Sequence, residues 1–179
     1  MKIRVFVGES TRHCGLERQW ENYSGDGLVL ELVERGVSVS TIKHAHHAFD
    51  IDQPGKDSYK HRAAGAREVM VGSRTRWALT HELRSCPELT LNELLQKMTP
   101  VDLVLVEGFK FGDHEKIEVY RAGYSDTPLY RDDPNVIAIV TDTPLSDMDR
   151  PVFNSHDITG IGEFVVARCD LATSINDSA

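Results

Sequence analysis

Along the chain of 179 residues, short apolar runs typical of strands alternate with segments of helical composition. A near-continuous apolar run at 101–106 and a continuous one at 136–140 are typical of strands buried on both faces of a parallel sheet. Shorter runs predict further strands at 3–7, 37–42, 69–71, 77–79 and 117–120. Helical composition and capping signals predict helices over 28–35, 57–68, 91–98 and 161–168. This interleaving predicts an α/β fold with a mainly parallel central sheet and helices on both faces.

Residues with preferences for helix ends mark the boundaries of three of these helices. Gly36 stands where a C-cap would end the first helix. Asp57 or Ser58 is expected to cap the second helix at its N-terminus. Thr90 and Glu93 have the spacing of a capping box, which predicts where the third helix begins.

The chain has no internal repeat and no long linker, and its length suits one domain over 1–179. The stretch 117–134 resembles a hairpin, and we interpret it as an insertion into this domain. The polar tail 173–179 is expected to be frayed.

The amino-acid composition limits the classes of protein to which this chain can belong. The hydrophobic fraction of 40% is enough to bury a sizeable core. The net charge of −8 and the pI near 5.4 argue against a non-specific binder of nucleic acid or anionic membranes. The three cysteines form no CxxC pair, which argues against a disulfide scaffold or zinc ribbon. Without a long apolar run or a signal peptide, we expect a cytoplasmic protein.

A histidine-rich segment follows the predicted strand 37–42 and places Lys43, His44, His46 and His47 at its carboxyl end. Ligands bind at this edge of parallel α/β sheets. An ammonium group and three imidazoles offer charge and donors, so the cluster is a candidate nucleotide- or phosphate-binding site. A zinc site is one alternative, since imidazole is a good zinc ligand, and a solvated loop is another.

The segment after the histidines carries two further candidates. Asp50 and Asp52 could bind magnesium directly or through water. Gly55 and Lys56 precede the predicted helix 57–68, where they could bind an anion. The alternative is a Pro-Gly turn followed by an ordinary helix cap.

The buried run 101–106 is followed by Glu107, Gly108 and Lys110. An apolar strand that ends in a carboxylate is the Walker B arrangement, in which the carboxylate lies beside magnesium or its bound water. Glu107 is therefore the candidate catalytic residue and a candidate magnesium ligand. Gly108 leaves room for a phosphate or metal close to the backbone, and Lys110 can neutralise phosphate charge.

Asp142 lies just beyond the second buried run, 136–140. A carboxylate at that position could accept hydrogen bonds from N1–H and N2–H₂ of guanine, which makes Asp142 a candidate nucleotide-binding residue. A turn aspartate close to Pro144 is the alternative, and the sequence favours neither.

These segments occur in one order that resembles a known family. They are the loop 42–47, Asp50, Pro-Gly-Lys-Asp-Ser at 54–58, Trp-Ala-Leu at 77–79, Val-Glu-Gly-Phe-Lys at 106–110 and Thr-Asp at 141–142. The order resembles the molybdopterin-guanine dinucleotide biosynthesis adaptor protein B (MobB) family over residues 28–164. The resemblance implies a P-loop nucleoside triphosphatase fold that binds GTP and Mg²⁺, with weak GTPase activity. It also implies a homodimer, and partnership with the guanylyltransferase that attaches GMP to the molybdopterin cofactor.

The same resemblance suggests roles for the candidate residues. Glu107 would position magnesium or a water molecule. Lys43, the loop histidines and Lys110 would offer positive or hydrogen-bonding groups to the phosphates of GTP or to that of molybdopterin.

The sequence departs from this family over residues 8–27. The family has a Walker A loop there, GxxGxGKT, whose backbone amides surround the phosphates. No Gly-Lys-Thr or Gly-Lys-Ser occurs anywhere in the chain, and Glu17 and Glu21 would repel phosphate. The segment also lacks the apolar periodicity of the helix that should follow the loop.

A shift of reading frame would account for the departure. Codons for residues 16–27, read one base later, can encode Trp-Ser-Gly-Ser-Gly-Lys-Thr-Thr-Leu-Val-Thr, a full Walker A loop leading into a helix. The glycine before the lysine is forced by Trp20 followed by Glu21, whichever codons are used. Our hypothesis is a pair of compensating frameshifts flanking residues 8–27. A divergent paralogue that has lost the loop is the alternative.

Three functions follow from these observations. The first is a GTP-binding accessory protein with weak hydrolytic activity. The second is a non-catalytic interaction module for the guanylyltransferase. The third is a P-loop kinase of another small molecule, against which the Glu-Gly-Phe-Lys strand end argues weakly.

Overall fold

The computed structural model describes residues 8–9, 25–45, 49–109, 111–122 and 128–173. The chain separates into two compact units, one formed by 1–44 with 99–179 and the other by 45–98. The expectation of one domain over the whole chain stays a prediction. The strand predicted at 3–7 lies outside the described residues, as does the tail beyond residue 173. None of the described helices is long and apolar enough to span a bilayer.

The described elements alternate between strands and helices. The strands are β1 Gly8–Glu9, β2 Val39–Lys43, β3 Glu68–Gly72, β4 Trp77–His81, β5 Leu103–Glu107, β6 Lys116–Val119, β7 Val136–Val140 and β8 Val152–Phe153. The helices are α1 Gly25–Glu34, α2 Asp57–Ala63, α3 Leu91–Leu95 and α4 Ile158–Cys169, with a 3-10 helix at Leu129–Arg131.

The first unit contains only parallel strand pairs among its described residues. One sheet has the order β1-β6-β7-β8, and β2 pairs with β5. Lys43 lies opposite Glu107, while Val140 lies opposite both Val119 and Phe153. The carboxyl ends of paired strands therefore lie level with one another. The predicted α/β fold with mainly parallel strands is confirmed.

Ser38 and Asp102 fix the register of β2 and β5 at their amino ends. The amide and hydroxyl of Ser38 donate to Oδ2 of Asp102 at 3.0 and 2.5 Å, and the amide of Asp102 donates to Ser38 Oγ at 2.9 Å. The Ser38 hydroxyl bond is the main reason that the pKa of Asp102 lies below its ordinary value. This register is the one that brings Lys43 opposite Glu107 at the other end of the pair.

Helices α1 and α4 pack against each other and share a core with strands of the first unit. Leu28 and Leu32 of α1 are buried with residues of β5, β6, β7 and α4 in one core. A Cβ built on Gly162 would lie 2.7 Å from Glu31 Cγ, so glycine permits the close approach of α4 to α1. Gly36 has a φ of +83°, which confirms the predicted left-handed end of the first helix.

The prediction of a hairpin insertion at 117–134 is wrong. β6 is an interior strand that pairs in parallel with β1 and β7. Its charged side chains, Lys116 and Glu118, are fully buried and hydrogen-bonded within the chain. Lys116 donates to Asp133 at 2.6 Å, and Glu118 accepts the amide of Tyr130 at 2.7 Å. These bonds tie the segment 129–133 back onto the strand.

The second unit contains the antiparallel pair β3–β4 and helices α2 and α3. The predicted cap of α2 by Asp57 or Ser58 is wrong, because Lys56 occupies the N-cap position without a side-chain hydrogen bond. The helix also ends before residue 68, since Gly65 turns the chain with a φ of +111°. The capping box of Thr90 and Glu93 at the start of α3 is confirmed.

Candidate functional site

The carboxyl ends of β2 and β5 bring together candidates that the sequence separates by about sixty residues. Lys43 Nζ lies 2.9 Å from Glu107 Oε1, and their side chains are 72% and 42% exposed. The amide of His44 donates to the carbonyl of Glu107 at 2.8 Å, which extends the ladder by one residue. Lys43, His44 and Glu107 therefore lie together at the ligand-binding edge of the pair, as the strand order predicts.

Gly108 is needed for packing against the histidine loop. Its φ is +96°, and a built Cβ would lie 2.6 Å from the Cβ of His44. The ring of His44 lies over that of Phe109 with centroids 4.5 Å apart. The space that we expected Gly108 to leave for a phosphate or metal is filled by His44 on the Cβ side. The backbone at Gly108 thus fixes where His44 stands.

We expect Gly108→Ala to lower the free energy of unfolding by about 2–5 kcal/mol, because left-handed strain and overlap with His44 add together. Gly55→Ala is the matched control, since Gly55 has a φ of +88° and no atom within 4 Å of a built Cβ. The control should lose only the strain, about 1–2 kcal/mol. Urea unfolding of both variants checks this, and equal losses would contradict the close approach.

Asp142 lies just beyond the carboxyl end of β7, in the sheet β1-β6-β7-β8. Its carboxylate is exposed and accepts hydrogen bonds from Asn154 and Ser155, which follow β8. The amide of Thr143 donates to the hydroxyl of Thr141 at 3.0 Å and forms the turn that carries Asp142. Asp142 lies in a turn and also presents an exposed carboxylate beyond a strand end. The structure therefore leaves both interpretations open, a turn aspartate and a nucleotide-binding residue.

Asp50, the predicted magnesium ligand of the second unit, is engaged by an arginine. Arg62 pairs with Asp50 through Nη2, with Asp52 through Nε at 3.1 Å and with Glu82 through Nη1 at 3.5 Å. The Arg62 guanidinium also lies 5.2 Å from the ring centre of Tyr59. This network holds the loop that precedes α2, so a structural role accounts for the two aspartates.

Lys56 precedes α2, whose seven residues make a short helix. Its side chain is exposed, and the anion-binding role stays a prediction. His46, His47 and Lys110 lie outside the described residues. Across the described ranges, no three His, Cys, Asp or Glu side chains come together as a metal site.

Sequence reasoning missed the residues around Asp142. The strand β8 has only two residues, too few for a periodic signal, so the polar residues behind it were not assigned to the sheet edge. Asn154 and Ser155 lie there, and the Ser155 hydroxyl, with smaller effects from His156 and Arg121, lowers the pKa of the Asp142 carboxyl. Three polar residues in succession after 152–153 were the available clue.

The residues of this edge fit magnesium and a nucleotide in part. Magnesium in nucleotide sites takes one or two carboxylates and completes its shell with phosphates and water, so Glu107 alone is sufficient. The first unit supplies Lys43 at the end of β2, and it places the carboxylate of Asp142 beyond the end of β7. The phosphate loop, in contrast, has no counterpart in the written sequence.

Comparison with known proteins identifies relatives over most of the chain. The family model for molybdopterin guanine dinucleotide synthesis protein B matches residues 26–142, starting at the end of the anomalous segment. The molybdopterin-guanine dinucleotide biosynthesis adapter protein of Escherichia coli K12 is 42% identical over 142 residues, covering 78% of this chain and 81% of that protein. The protein of the same name from Haemophilus influenzae is 37% identical over 152 residues, covering 80% and 83%.

The fold also matches a solved structure. The crystal structure of a MobB protein homolog from Bacillus stearothermophilus superposes with a TM-score of 0.65 at 21% identity. The superposition covers 94% of this chain and 97% of that one. The expected P-loop nucleoside triphosphatase-like fold is confirmed by this likeness.

Proposed function

Because the chain belongs to the family of molybdopterin guanine dinucleotide synthesis protein B, we propose that it is a GTP-binding accessory protein in molybdenum cofactor biosynthesis. It assists the guanylyltransferase that joins GMP to molybdopterin, as a cytoplasmic homodimer with weak GTPase activity. The proposal that the chain binds a nucleotide rests on the ion pair between Lys43 and Glu107 at the carboxyl ends of β2 and β5.

The chain's own residues would act by positioning and by charge. Magnesium, held by Glu107 and the phosphates, would neutralise phosphate charge. Lys43 would exchange its ion pair with Glu107 for phosphate oxygens. Because that pair is exposed, breaking it costs at most about 1 kcal/mol. Gly108 and Phe109 would keep His44 fixed beside the same phosphates.

An apolar surface in the second unit supports a protein partner. Met70 lies opposite Leu79 on the β3–β4 ribbon, with Trp77 two residues away on the same face. Their exposed fractions are 64%, 43% and 67%. Exposed apolar patches of this kind mark protein interaction sites. The ribbon face could meet the guanylyltransferase or a second copy of the chain.

The second candidate is a non-catalytic interaction module for the guanylyltransferase. It is favoured by the absence of any Gly-Lys-Thr or Gly-Lys-Ser in the sequence. Capture of the guanylyltransferase by this protein, with and without GTP, separates the two candidates. Capture that GTP strengthens supports the accessory function, whereas capture indifferent to GTP supports the module.

Titration with GTP and with ATP tests the nucleotide part directly. For the chain as written we expect no micromolar binding of either nucleotide, and micromolar GTP affinity would contradict this expectation. A variant with residues 16–26 replaced by Trp-Ser-Gly-Ser-Gly-Lys-Thr-Thr-Leu-Val-Thr is called the loop-restored chain. It should bind GTP in preference to ATP, and the reverse preference would favour a kinase.

Substitutions on the ribbon test the partner surface. Trp77→Ser should reduce capture of the guanylyltransferase at least about tenfold, as loss of a central aromatic anchor does. Phe49→Ser is the control, because Phe49 is 71% exposed in the same unit but lies outside the ribbon. Equal effects of the two variants would contradict the proposal that the β3–β4 ribbon binds the guanylyltransferase.

A further inference from the structure

The turn that joins β3 to β4, residues 73–76 and here called the ribbon tip, is held by its own hydrogen bonds. The Ser73 hydroxyl accepts the amides of Thr75 and Arg76 at 3.3 and 3.2 Å. The same hydroxyl donates to the carbonyl of Arg76 at 2.9 Å, and the Ser73 amide donates to that carbonyl at 2.8 Å. These bonds fix the backbone positions from which the side chains of Arg74 and Arg76 extend.

The ribbon tip carries two positive charges. Arg74 and Arg76 are exposed, and within the described part of the chain neither forms an ion pair. Several other arginines are paired with carboxylates, namely Arg35 with Glu31, Arg62 with Asp50, Arg150 with Asp149 and Arg168 with Glu115. From residue 69 to residue 80 the sequence has no Asp or Glu, although the whole chain has 28 of them against 20 Lys and Arg. The ribbon tip is therefore a cationic site on an acidic protein.

An acidic protein surface is the partner that this chemistry fits. A guanidinium group can donate two parallel N–H bonds to one carboxylate. Nucleic acid is disfavoured, since two arginines on a chain of net charge −8 do not offset the repulsion of a polyphosphate. Trp77 follows the ribbon tip and is 67% exposed, and arginine and tryptophan are typical of the residues that carry most of the binding energy in protein interfaces.

Charge also determines how such a partner approaches. A net charge of −8 repels an acidic protein at long range. A cationic tip at the end of the ribbon attracts that protein locally, so approach in one orientation is favoured over the others. The tip thus selects the partner by charge, while the apolar side chains of the ribbon face supply contact area.

We propose that the ribbon tip docks on an acidic surface of the guanylyltransferase, with Arg74 and Arg76 bound to its carboxylates. The proposal deepens the proposed function and rests on it, because that function supplies the partner. Ser73 is the positioning residue, since its hydroxyl fixes the turn that carries both arginines.

Association kinetics with the purified guanylyltransferase test the proposal. Arg74→Glu should lower the association rate constant about tenfold or more at about 0.1 M salt. The loss should shrink at about 1 M salt, where the screening length falls from about 10 Å to about 3 Å. Arg131→Glu is the matched control, because Arg131 is an exposed arginine of the first unit and the change alters the net charge equally. Equal losses in the two variants, or a loss that salt does not reduce, would overturn the proposal.

Ser73→Ala tests the positioning role, because it loosens the turn and leaves both positive charges in place. The variant should raise the dissociation rate constant about three- to tenfold and change the association rate constant by less than about twofold. Ser73→Thr keeps the hydroxyl and should restore the parent value. A loss that threonine does not rescue would overturn the positioning role.

A hexaglutamate peptide tests the ribbon tip independently of the guanylyltransferase. In nuclear magnetic resonance of the ¹⁵N-labelled chain, this peptide should shift the amide signals of Arg74, Thr75 and Arg76, whereas hexalysine should not. A folded spectrum that hexaglutamate does not shift would overturn the cationic docking site.

The outcomes distinguish this proposal from the function on which it rests. Hexaglutamate shifts without binding of the guanylyltransferase would overturn the partnership of the proposed function and leave a docking site for another acidic protein. Binding of the guanylyltransferase that Arg74→Glu does not weaken would overturn the proposal and leave the function. Loss of a dimer in Arg74→Glu, measured by light scattering, would assign the ribbon tip to a second copy of the chain and overturn the proposed partner.

Discussion

The loop-restored chain is expected to bind GTP at least about 10⁴-fold more tightly than the chain as written. The exchange supplies a lysine, a threonine ligand for magnesium and several backbone donors in one segment. Charge-assisted hydrogen bonds contribute about 1.5–3 kcal/mol each. Three of them account for four decades, since each decade needs about 1.4 kcal/mol. Calorimetric titration with GTP in magnesium measures the gain.

A matched control separates the phosphate loop from a general gain in stability. The same exchange with its lysine replaced by alanine should keep the fold and lose most of the added affinity. If both exchanged chains bind equally, the lysine has no role. If neither binds, the frameshift hypothesis loses its functional consequence. Sequencing the first part of the gene checks the hypothesis itself, because codons that cannot yield the shifted reading would exclude it.

Asp133→Ala is expected to lower the free energy of unfolding by about 3–5 kcal/mol, because it leaves the ammonium group of Lys116 buried without its counter-charge. The side chain of Lys116 is 0% exposed, and after the change the carbonyl of Gly112, at 2.8 Å, would be its remaining acceptor among the residues that the structure describes. Lys116→Met should cost less, since Asp133 is 22% exposed and keeps the amide of Asn135. Guanidinium unfolding measures both.

The double variant and a surface variant complete this test. Combining Lys116→Met with Asp133→Ala should recover part of the loss, because no unpaired charge stays buried. Asp149→Ala removes an exposed partner of Arg150 and should cost about 1 kcal/mol or less. An Asp133→Ala loss as small as that of Asp149→Ala would contradict the buried pair.

The pH dependence of Asp133 has a defined sign. Burial alone would raise the pKa of Asp133, but its bonds with Lys116 and Asn135 outweigh burial and lower it. The stability that Asp133 contributes is therefore present above the ordinary aspartate pKa and lost as pH falls through the lowered value. The gap between the parent chain and Asp133→Ala should narrow in that acid range.

The sequence predicted the parts of the fold where burial and periodicity agree. β5 and β7 are buried on both faces, so their residues form continuous apolar runs that are read without knowledge of their partners. The meeting of Lys43 with Glu107 also followed from topology, since parallel strands place their carboxyl ends at one edge. These two predictions depend on local pattern and on a general rule of sheet geometry.

The misreading of β6 has a different cause. Lys116 and Glu118 look like exposed positions because their partners lie 17 and 12 residues further along the chain, outside any local pattern. The positioning of Asp142 by Ser155 was hidden for the same reason. Polar groups whose hydrogen-bond partners are distant in sequence can be recognised as buried only in the folded structure.

The charges on β6 also bear on how the chain behaves before folding is complete. Its described neighbour β1, Gly8–Glu9, belongs to the segment 8–27, whose reading frame is in question. If β1 does not dock, β6 becomes an edge strand with unpaired backbone groups, which is the usual starting point for aggregation. Until the segment 129–133 has docked, Lys116 and Glu118 disfavour such pairing, because a sheet with another chain would then bury their charges without Asp133 and the amides of 129–130. A strand of the same length with only valine and isoleucine would have no such protection, so the charges favour a soluble nascent chain over a more stable core.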